Sequence, residues 1–354
     1  HGDGPLLVIA GAGSGKTRTL TYRVAYLVEN GVPPDRLLLL TFTRKAAGEM
    51  LVRAESLLDR RCRKVAGGTF HSFANMMLRR YGPAVDLARE FNILDRVDSE
   101  SLIAMLRKEM GPLPGGRRFP TKRTLAAIFS RTVNKARNVE EIVESDYPHL
   151  SRWVEALNQL HQAYTERKRE LSAVDYDDLL IYLHTLLDSR TEIRRHIQDA
   201  YRYVMVDEYQ DTNRIQAEIV YLLSREAPNV MVVGDDSQSI YAFRGANYEN
   251  IMTFPEQFDG TRIIRLEENY RSVQPILDLT NRMIDQAENR YSKRLFTRKS
   301  GGSPPLLIAA DSENNQSLMI IEKIRALQRQ GTALDEMAVL FRAGFHSFDL
   351  EIEL

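Results

Sequence analysis

Leu6-Leu-Val-Ile-Ala10 runs directly into Gly11-Ala-Gly-Ser-Gly-Lys16-Thr17, and this junction decides the fold. The first stretch is a continuous apolar run, which is typical of a strand buried on both faces of a parallel sheet. The glycines permit a tight loop, and the pattern from Lys16 to about Asn30 predicts a helix after it. The junction therefore predicts a strand–loop–helix unit of an α/β protein.

The glycine-rich run fits the phosphate-loop pattern G-x-x-x-x-G-K-[ST], with Ala10 taken as the residue before the first glycine. Backbone N–H groups of such a loop face phosphates, and the helix N-terminus adds positive potential. We expect Lys16 to reach the β- and γ-phosphates of ATP and the Thr17 hydroxyl to ligate Mg²⁺. The expected phosphate-site residues are Ala10, Gly11, Ala12, Gly13, Ser14, Gly15, Lys16 and Thr17.

Two adjacent acids follow a second apolar run, Tyr203-Val-Met-Val206. Asp207 stands where this strand would emerge from the sheet, a position suited to holding Mg²⁺. Glu208 comes next and can polarise the attacking water as a general base. An acidic pair in a turn is common, but a pair placed after a buried strand and combined with the Lys16 loop predicts a nucleotide hydrolysis site.

Two further segments offer groups that would complete the chemistry. Gln238 follows the apolar run Val230-Met-Val-Val233 and can hydrogen-bond the γ-phosphate or the water. Arg271 is a candidate arginine finger for the charge that develops during phosphoryl transfer, and Tyr270 beside it can stack on a base. Taken singly, a loop glutamine or arginine is more often a solvated or capping side chain.

The remaining pattern predicts the order of domains. Strand and helix signals alternate in residues 1–82, the apolar periodicity is helical in 83–195, and strand signals return after residue 196. Further strands are expected at Leu306–Ala309 and Met337–Phe341. We predict an α/β first domain in two parts, an inserted all-helical subdomain and the start of a second α/β domain. The predicted boundaries are 1–82, 83–195, 196–264 and 265–354.

Bulk composition narrows the class of protein. The 354 residues carry no net charge, but two segments are rich in Lys and Arg, Arg44–Arg80 and Arg107–Arg137. Because basic residues are concentrated there, a neutral chain can still bind a polyanion locally. Solvated helix faces would give the same charge pattern. The single cysteine, Cys62, excludes a disulfide framework and a cysteine-ligated metal site, and fits a reducing compartment; we expect a cytoplasmic protein.

Neither the ends nor the interior of the chain predicts a targeting or membrane segment. No run of about 20 apolar residues is present, and the start lacks a signal-peptide pattern. The chain begins without methionine at His1-Gly2-Asp3 and ends within a helical pattern at Leu350–Leu354. We expect a fragment of a longer protein.

Six motifs in order make the chain similar to the UvrD/Rep/PcrA-type superfamily 1 DNA helicases, and Asp175-Tyr-Asp-Asp-Leu-Leu180 resembles a further family segment. The motifs are Gly11–Thr17, Thr41-Phe-Thr-Arg-Lys-Ala-Ala47, Gly68-Thr-Phe-His-Ser-Phe73, Val206-Asp-Glu-Tyr-Gln-Asp211, Val233-Gly-Asp-Asp-Ser-Gln-Ser-Ile-Tyr-Ala-Phe-Arg-Gly245 and Leu266-Glu-Glu-Asn-Tyr-Arg-Ser272.

This resemblance implies that both α/β domains are RecA-like, the first of them a P-loop NTPase domain. It also implies a 3′-to-5′ translocase on single-stranded DNA that couples ATP hydrolysis to unwinding at duplex junctions in replication or repair. It implies ATPase roles for Lys16, Thr17, Asp207, Glu208, Gln238 and Arg271, and adenine contacts for Arg18 and Tyr270. It implies base stacking by Phe42, Tyr241 and Phe243, and contacts along the DNA strand from Thr41, Thr43, Arg44, Thr69, His71 and Arg244. Aromatic rings beside hydroxyls are chemically suited to a single strand.

The sequence departs from the family pattern at several places. Phe243 stands where the family usually has tryptophan, and the upstream adenine-reading glutamine motif and the later motifs are absent. Three alternatives stay open: a helicase subunit of a recombination nuclease complex, a nucleotide- and DNA-binding module without turnover, and a nucleoside or sugar kinase. A kinase would explain Lys16 and Asp207 but not the aromatic motifs. Protein partners are not predicted.

Overall fold

The protein is described by a computed structural model that covers residues 2–111, 119–241, 245–287 and 290–354. The chain divides into two compact units, His1–Gly301 and Gly302–Leu354. The first unit contains all eight strands that the described residues form. These strands are β1 (Leu6–Ala10), β2 (Leu37–Thr41), β3 (Ala66–Thr69), β4 (Asn92–Ile93), β5 (Ala173–Val174), β6 (Tyr203–Val206), β7 (Val230–Gly234) and β8 (Arg262–Leu266).

Helices connect these strands and form most of the rest of the described chain. Those of the first unit are α1 (Lys16–Glu29), α2 (Arg44–Leu57), α3 (Phe70–Tyr81), α4 (Arg96–Glu109), α5 (Lys122–Lys135), α6 (Val139–Asp146), α7 (Val154–Glu170), α8 (Tyr176–Ser189), α9 (Thr191–Ala200), α10 (Arg214–Ser224), α11 (Glu249–Gln257) and α12 (Gln274–Ile284). Those of the second unit are α13 (Glu313–Arg329) and α14 (Phe348–Glu353).

Six strands form one parallel sheet in the order β3-β2-β6-β7-β1-β8. The predicted strand at Leu6–Ala10 lies inside this sheet, between β7 and β8. Parallel strands need crossover helices, which is why the predicted alternation of strand and helix signals produces this topology. The fold is a RecA-like α/β arrangement, as the sequence predicts.

The four central strands β1, β2, β6 and β7 are buried on both faces, and the alternation of their side chains supplies two cores. In β1, Leu7 and Ile9 join a core with α3, α8, α9, α10 and α11. Leu6 and Val8 of the same strand face the opposite core, which α1 and α2 complete. The apolar run that opens the chain therefore has no solvent-facing side, which is the physical reason for its unbroken hydrophobicity.

The stretch between β3 and β6 is mostly helical and contains a separate core. Helices α4 to α7 enclose Leu125, Ile142, Leu157 and their neighbours, with Trp153 packed edge-on against Phe119. Helices α8 and α9 instead pack onto the sheet core. The interval also holds the short parallel pair β4–β5, which the sequence did not predict.

The segment Asp175-Tyr-Asp-Asp-Leu-Leu180 forms the N-terminus of α8, which is held by ion pairs. Lys168 of α7 is buried, and its Nζ lies 2.6 Å from Asp175 Oδ2 and 2.5 Å from Asp178 Oδ2. Asp175 and Asp178 also form a capping box at the N-terminus of α8. Tyr164 donates to Asp175 Oδ2 at 3.0 Å. These contacts tie α7 to α8 and account for the acidic pattern of this segment structurally.

The second unit, taken by itself, corrects two predictions. The predicted strands at Leu306–Ala309 and Met337–Phe341 are wrong, since neither range adopts strand structure. Leu307 and Leu340 are almost completely exposed. An apolar run forms a strand only where a neighbour completes its backbone hydrogen bonds, and no described strand pairs with either range. This unit contains the helices α13 and α14, and α14 contains the start of the helical pattern that the sequence shows at its end.

Within the described part of the chain, every helix is too short or too polar to cross a membrane.

Candidate functional site

The predicted site residues gather at one edge of the sheet, where the parallel strands end. The phosphate loop follows β1, Asp207 follows β6 and Asp235 follows β7. Most of the DNA-contact candidates follow β2 and β3, on the far side of β6 from β1 in the strand order, whereas Tyr241 follows β7. Ligands of open parallel sheets bind beyond the carboxyl ends of the strands, so the topology collects these chemically distinct groups on one surface.

The phosphate loop has the backbone geometry that its glycines predict. Gly13 and Gly15 have φ of 76° and 94°, in the left-handed region that favours glycine. Ser14 donates its hydroxyl to the Gly11 carbonyl oxygen at 2.7 Å, which closes the loop. Gly15 is the N-cap of α1 and makes no side-chain cap, so the first N–H groups of α1 keep their donors for a ligand.

The segment after β8 packs directly on this loop. Asn269 donates its Nδ2 to the Ala12 carbonyl oxygen, and the Tyr270 backbone N–H donates to the Gly13 carbonyl oxygen at 2.9 Å. A Cβ at Gly13 would lie 2.7 Å from the Arg271 Cβ, and one at Gly11 would lie 2.4 Å from Leu295. At Gly13 both the close neighbour and the left-handed backbone favour glycine, whereas at Gly11 only the close Leu295 side chain does.

Lys16 meets two of its predicted partners in the site. Its Nζ lies 2.7 Å from Glu208 Oε2 and 3.3 Å from the Gln238 Oε1 oxygen. Lys16 is 9% exposed, whereas the Glu208 side chain is 34% exposed. Glu208 has φ of 49°, an unusual conformation for this residue type that directs the chain sharply after β6. The structure thus brings together the predicted phosphate cation, general base and water-contacting amide.

Two residues that the sequence analysis did not assign complete a closed hydrogen-bond ring. Gln210 donates its Nε2 to Glu208 Oε2 at 2.8 Å, and its Oε1 accepts from the Asp235 backbone N–H at 2.9 Å. Asp235 Oδ2 accepts from the Gln238 Nε2 at 2.5 Å, and Gln238 faces Lys16. Both unassigned residues lie inside motifs already recognised, so the signal for them was present.

Gly234 makes that ring possible. It is the last residue of β7, and a Cβ there would lie 2.6 Å from the Gln210 Oε1 and 2.7 Å from the Ile251 side chain. Real Cβ atoms do not approach that closely, so any other residue would push the Gln210 amide away from Asp235. Glycine is needed here so that the Gln210 and Ile251 side chains can approach the backbone closely, and not for a left-handed conformation, since its φ lies outside that region.

Asp207 is a buried carboxylate that lacks a hydrogen-bond partner on Oδ1 among the described residues. Burial, followed by repulsion from Glu208, raises its pKa to about 6. Asp211 nearby also has a buried Oδ1 without a described partner, and burial and Glu208 raise its pKa to about 6. Carboxylates left this way suit a hard divalent cation, which prefers oxygen ligands. The Thr17 hydroxyl stands at the first turn of α1.

The candidate adenine contacts are exposed at the mouth of the site. Arg18 donates to the Tyr22 hydroxyl at 3.2 Å and lies over the Tyr22 ring at 5.2 Å from its centroid. Tyr270 is 59% exposed and donates to Glu268 Oε2 at 3.3 Å. Arg271 is exposed beside Gly13. Arg18, Tyr270 and Arg271 are therefore accessible to a ligand. No sequence motif indicated that Tyr22 is a partner of Arg18.

At the end of β2, the hydroxyls of the Thr-Phe-Thr motif are used locally. Thr41 is buried and donates to the Thr43 carbonyl oxygen at 2.7 Å. Thr43 caps α2 by accepting from the Ala46 N–H at 3.1 Å. Phe42 between them is 49% exposed, and its ring stacks on Tyr241 with centroids 5.7 Å apart and planes at 21°. The two rings form a partly exposed aromatic platform.

The end of β3 lies beside that of β2, since Thr41 and Thr69 are register partners. Thr69 caps α3 by accepting from the Ser72 N–H at 3.2 Å. Arg44 donates its Nε to the Ser72 hydroxyl at 3.1 Å, which joins the two motifs. Burial lowers the pKa of His71, which packs edge-on against Tyr176 at 5.8 Å between centroids.

Two predicted DNA contacts, Phe243 and Arg244, lie outside the described residues. All other predicted site residues are described, and they form two clusters along the same edge. The phosphate cluster surrounds Lys16, and the aromatic cluster surrounds Phe42. The short stretch from Asp235 to Tyr241 reaches from the first cluster to the second.

Comparison with known proteins identifies the family. Residues 1–259 match the UvrD/REP helicase N-terminal domain, and residues 264–354 match the UvrD-like helicase C-terminal domain. The chain is 37% identical over 350 residues to the ATP-dependent DNA helicase PcrA of Staphylococcus epidermidis, covering 99% of this chain and 47% of that protein. The protein of the same name from Leuconostoc citreum is 36% identical over 357 residues, with the same coverage.

The Staphylococcus aureus protein of that name is 35% identical over 350 residues, again covering 99% of this chain and 47% of its own length. This chain therefore spans about half the length of the curated relatives that it matches. The two domain matches together reach from residue 1 to residue 354 and include every motif described above. The chain belongs to the UvrD/Rep helicase family.

Proposed function

We propose that this chain carries the nucleotide-hydrolysing motor of an ATP-dependent DNA helicase. In this proposal the protein uses ATP and Mg²⁺ to move 3′-to-5′ along single-stranded DNA and to unwind duplex junctions in replication or repair. The observation that carries it is the meeting of Lys16, Glu208 and Gln238 at the same sheet edge as the exposed Phe42 ring. The relatives named above, which are ATP-dependent DNA helicases by name, support it.

The first step is the capture of phosphate by the loop after β1. The free N–H groups at the start of α1 and the Lys16 ammonium supply positive potential to the β- and γ-phosphates. The Lys16 ammonium has three N–H donors, and one of them donates to Glu208 Oε2 at 2.7 Å. An arriving phosphate competes for this cation, so nucleotide binding loosens Lys16 from Glu208 and leaves that carboxylate available.

Glu208 is then the group that takes a proton from the attacking water. Gln210 Nε2 donates to Glu208 Oε2 at 2.8 Å independently of Lys16, so this contact can keep the carboxylate oriented when Lys16 turns to phosphate. Gln238 lies on the other side of Lys16 and orients the water or the γ-phosphate. Arg271 neutralises the charge that develops on the transferred group. Preorganised groups of this kind lower the barrier without rearranging during reaction.

The residues that would hold Mg²⁺ are Asp207 and Thr17. Two observations indicate that these residues fit Mg²⁺: Asp207 Oδ1 is buried without a described partner, and the pKa of this carboxyl is raised. A bound cation would give the oxygen a partner and would lower the pKa. When bound, Mg²⁺ supplies positive charge at the phosphate oxygens. Asp207 otherwise stays close to the charge of Glu208, at a cost to folding stability.

The adenine contacts are assigned to Arg18 and Tyr270, whose flat and exposed groups flank the loop. A guanidinium and a phenol ring both present planes on which a purine stacks. The proposed DNA contacts are Thr41, Phe42, Thr43, Arg44, Thr69, His71, Tyr241, Phe243 and Arg244. Phe42 and Tyr241 supply stacking surface, and the N-termini of α2 and α3 supply N–H groups near the strand's phosphates.

Coupling between hydrolysis and movement runs through the stretch from Asp235 to Tyr241. Gln238 at one point of this stretch faces Lys16, and Tyr241 three residues later stacks on Phe42. A shift of Gln238 when the γ-phosphate leaves would therefore move a ring that contacts DNA. This coupling is a two-state arrangement of one short loop rather than a long pathway.

The domain boundaries follow as part of the same proposal. Residues 1–82 and 196–264 form the first RecA-like domain, 83–195 the inserted subdomain and 265–354 the start of the second. A cytoplasmic location is proposed from the chemistry of a DNA motor with one buried, unpaired thiol at Cys62. The alternative of a helicase subunit in a recombination nuclease complex uses the same motor, and strand-displacement and nuclease assays on the full-length protein separate the two.

ATP hydrolysis in the presence and absence of single-stranded DNA tests the proposal. We expect strong stimulation by DNA, and we expect Lys16→Ala to abolish turnover because it removes the phosphate cation. Lys323→Ala, which alters an exposed lysine of α13, is the matched control and should hydrolyse ATP normally. Turnover that is independent of DNA and requires a small acceptor would instead support a kinase.

Unwinding by this chain alone is a separate question, because it spans 47% of its relatives. We propose that it binds nucleotide and DNA but does not separate strands. A strand-displacement assay on the 354-residue chain tests this, and processive unwinding would refute it.

A further inference from the structure

We propose that Lys293 is a positioning residue for ATP hydrolysis, which fixes Gln238 in a single orientation through Asp235. The proposal rests on the hydrolytic function proposed above and adds a residue that no sequence motif singled out. Lys293 lies after α12, more than 50 positions from its partners along the chain. Its role is separate from those of the groups that touch nucleotide.

Lys293 forms a buried ion triad with the start of the loop after β7. Its Nζ lies 2.5 Å from Asp235 Oδ1 and 2.5 Å from Asp236 Oδ1. The three side chains are 2%, 4% and 3% exposed, in that order. Two adjacent carboxylates so deeply buried repel one another, and the single ammonium that contacts both holds them side by side.

The rest of the triad is fully hydrogen-bonded, so each oxygen has a defined task. Asp235 Oδ1 also accepts from the Ser237 backbone N–H at 3.1 Å, and its Oδ2 accepts from Gln238 Nε2 at 2.5 Å. Asp236 Oδ2 accepts from the Tyr291 backbone N–H at 3.3 Å. The charged cluster therefore belongs to a built network and is more than a surface ion pair.

The consequence lies in the chemistry of the Gln238 amide. An ionised carboxylate only accepts hydrogen bonds, so the NH₂ group of Gln238 must face Asp235. The carbonyl oxygen then faces Lys16, which only donates, at 3.3 Å. With this orientation Gln238 offers an acceptor to the attacking water rather than a donor to the γ-phosphate.

Removing Lys293 would remove the reason for that orientation. The two buried carboxylates would then repel one another without a cation between them, so Asp235 would move away from Gln238 Nε2 and leave the amide free to turn over. Gln238 would then present its NH₂ group toward the phosphates, and the water would lose its acceptor. Lys293 thus acts through Asp235 and has no contact of its own with the reacting atoms.

The test compares kcat and KM for ATP, with single-stranded DNA present, in the full-length protein. We expect Lys293→Met to lower kcat about ten-fold or more with KM changed less than about three-fold, since water positioning acts in the chemical step. Arg294→Met removes the adjacent, exposed cation and should leave both constants unchanged. A Lys293→Met enzyme with normal kcat overturns the proposal.

A double-variant comparison separates positioning from general destabilisation. If Lys293 works through Gln238, then Lys293→Met combined with Gln238→Ala should have the kcat of Gln238→Ala alone. Effects that multiply in the double variant overturn the proposal. The pair Lys293→Met with Asp236→Asn keeps one net negative charge in the cluster, as in the wild type, and removes the repulsion on Asp235. In this variant Asp235 again accepts from Gln238, so most of the lost kcat should return, and a kcat as low as that of Lys293→Met alone overturns the proposal.

A measurement without turnover distinguishes failure of this proposal from failure of the proposed hydrolysis. Selective ¹⁵N labelling of glutamine reports the Gln238 side-chain NH₂ group, which should exchange slowly with solvent in the wild type and quickly in Lys293→Met. Equal exchange in both overturns the positioning role whether or not the protein hydrolyses ATP. Protected exchange in a wild type that lacks ATPase activity would overturn the hydrolytic function alone.

Discussion

Replacing Asp207 with asparagine should stabilise the nucleotide-free protein while abolishing its Mg²⁺-dependent hydrolysis of ATP. The carboxyl is 6% exposed, its Oδ1 has no described hydrogen-bond partner, and Glu208 is the next residue. These surroundings raise its pKa from 3.8 to about 6. The folded state therefore retains a proton on Asp207 at a pH at which the unfolded chain has released it.

The sign and the size of the effect follow from this difference in pKa. As pH rises from 3.8 toward 6, the unfolded state releases its proton first, so the free energy of unfolding falls through this window. A shift of about two units at roughly 1.4 kcal/mol per unit corresponds to about 3 kcal/mol, lost in full above pH 7. Asparagine does not titrate, so it removes this cost.

The assay is urea unfolding of wild type and Asp207→Asn in EDTA between pH 4.5 and pH 8. We expect the stability difference to grow across this range toward about 3 kcal/mol in favour of Asn. Asp259→Asn, at an exposed position, is the control and should change stability by less than about 0.5 kcal/mol. A difference that does not vary with pH, or a less stable variant at pH 8, refutes the reasoning.

Three further predictions concern the phosphate loop, the aromatic platform and the buried ion pair. Gly13→Ala should lower the free energy of unfolding in urea by about 2–4 kcal/mol, because φ is +76° and the new Cβ would lie 2.7 Å from Arg271. The control Gly48→Ala places its Cβ in open space on α2 and should be neutral or slightly stabilising. Phe42→Ala should weaken single-stranded DNA binding by about 1–3 kcal/mol in a fluorescence titration with an unchanged melting temperature; unchanged affinity would contradict a stacking role. Lys168→Met should cost about 3–5 kcal/mol in unfolding, since it leaves two buried carboxylates unpaired, and a loss below about 1 kcal/mol would contradict this account.

The local patterns of the sequence predicted the central strands of the sheet correctly, and the residues that they single out for the site lie together at one edge of that sheet. An unbroken apolar run such as Leu6–Ala10 can be satisfied only between two layers, so periodicity alone identified a buried parallel strand. Polar motifs directly after such runs must meet at one edge, because parallel strands all end on the same side. Lys16, Glu208 and Gln238 were predictable for this reason.

Long-range partners were beyond the reach of local patterns. The apolar runs at Leu306–Ala309 and Met337–Phe341 resemble strands, but a strand also requires a neighbour to complete its hydrogen bonds. Conversely, the pair β4–β5 is too short to leave any periodic signal. Whether an apolar segment becomes a strand is decided by what lies beside it in space.

The sequence by itself determined which chemical groups are available for the proposed contacts with phosphate and DNA. Each of those groups follows a strand or begins a helix, and short-range backbone geometry positions it. Only the tertiary structure decided how the groups are oriented. The Gln238 amide faces Lys16 with its oxygen because Lys293, remote in sequence, holds Asp235 as an acceptor. No local sequence pattern identifies Lys293, because its role depends entirely on buried carboxylates that are distant from it in the chain.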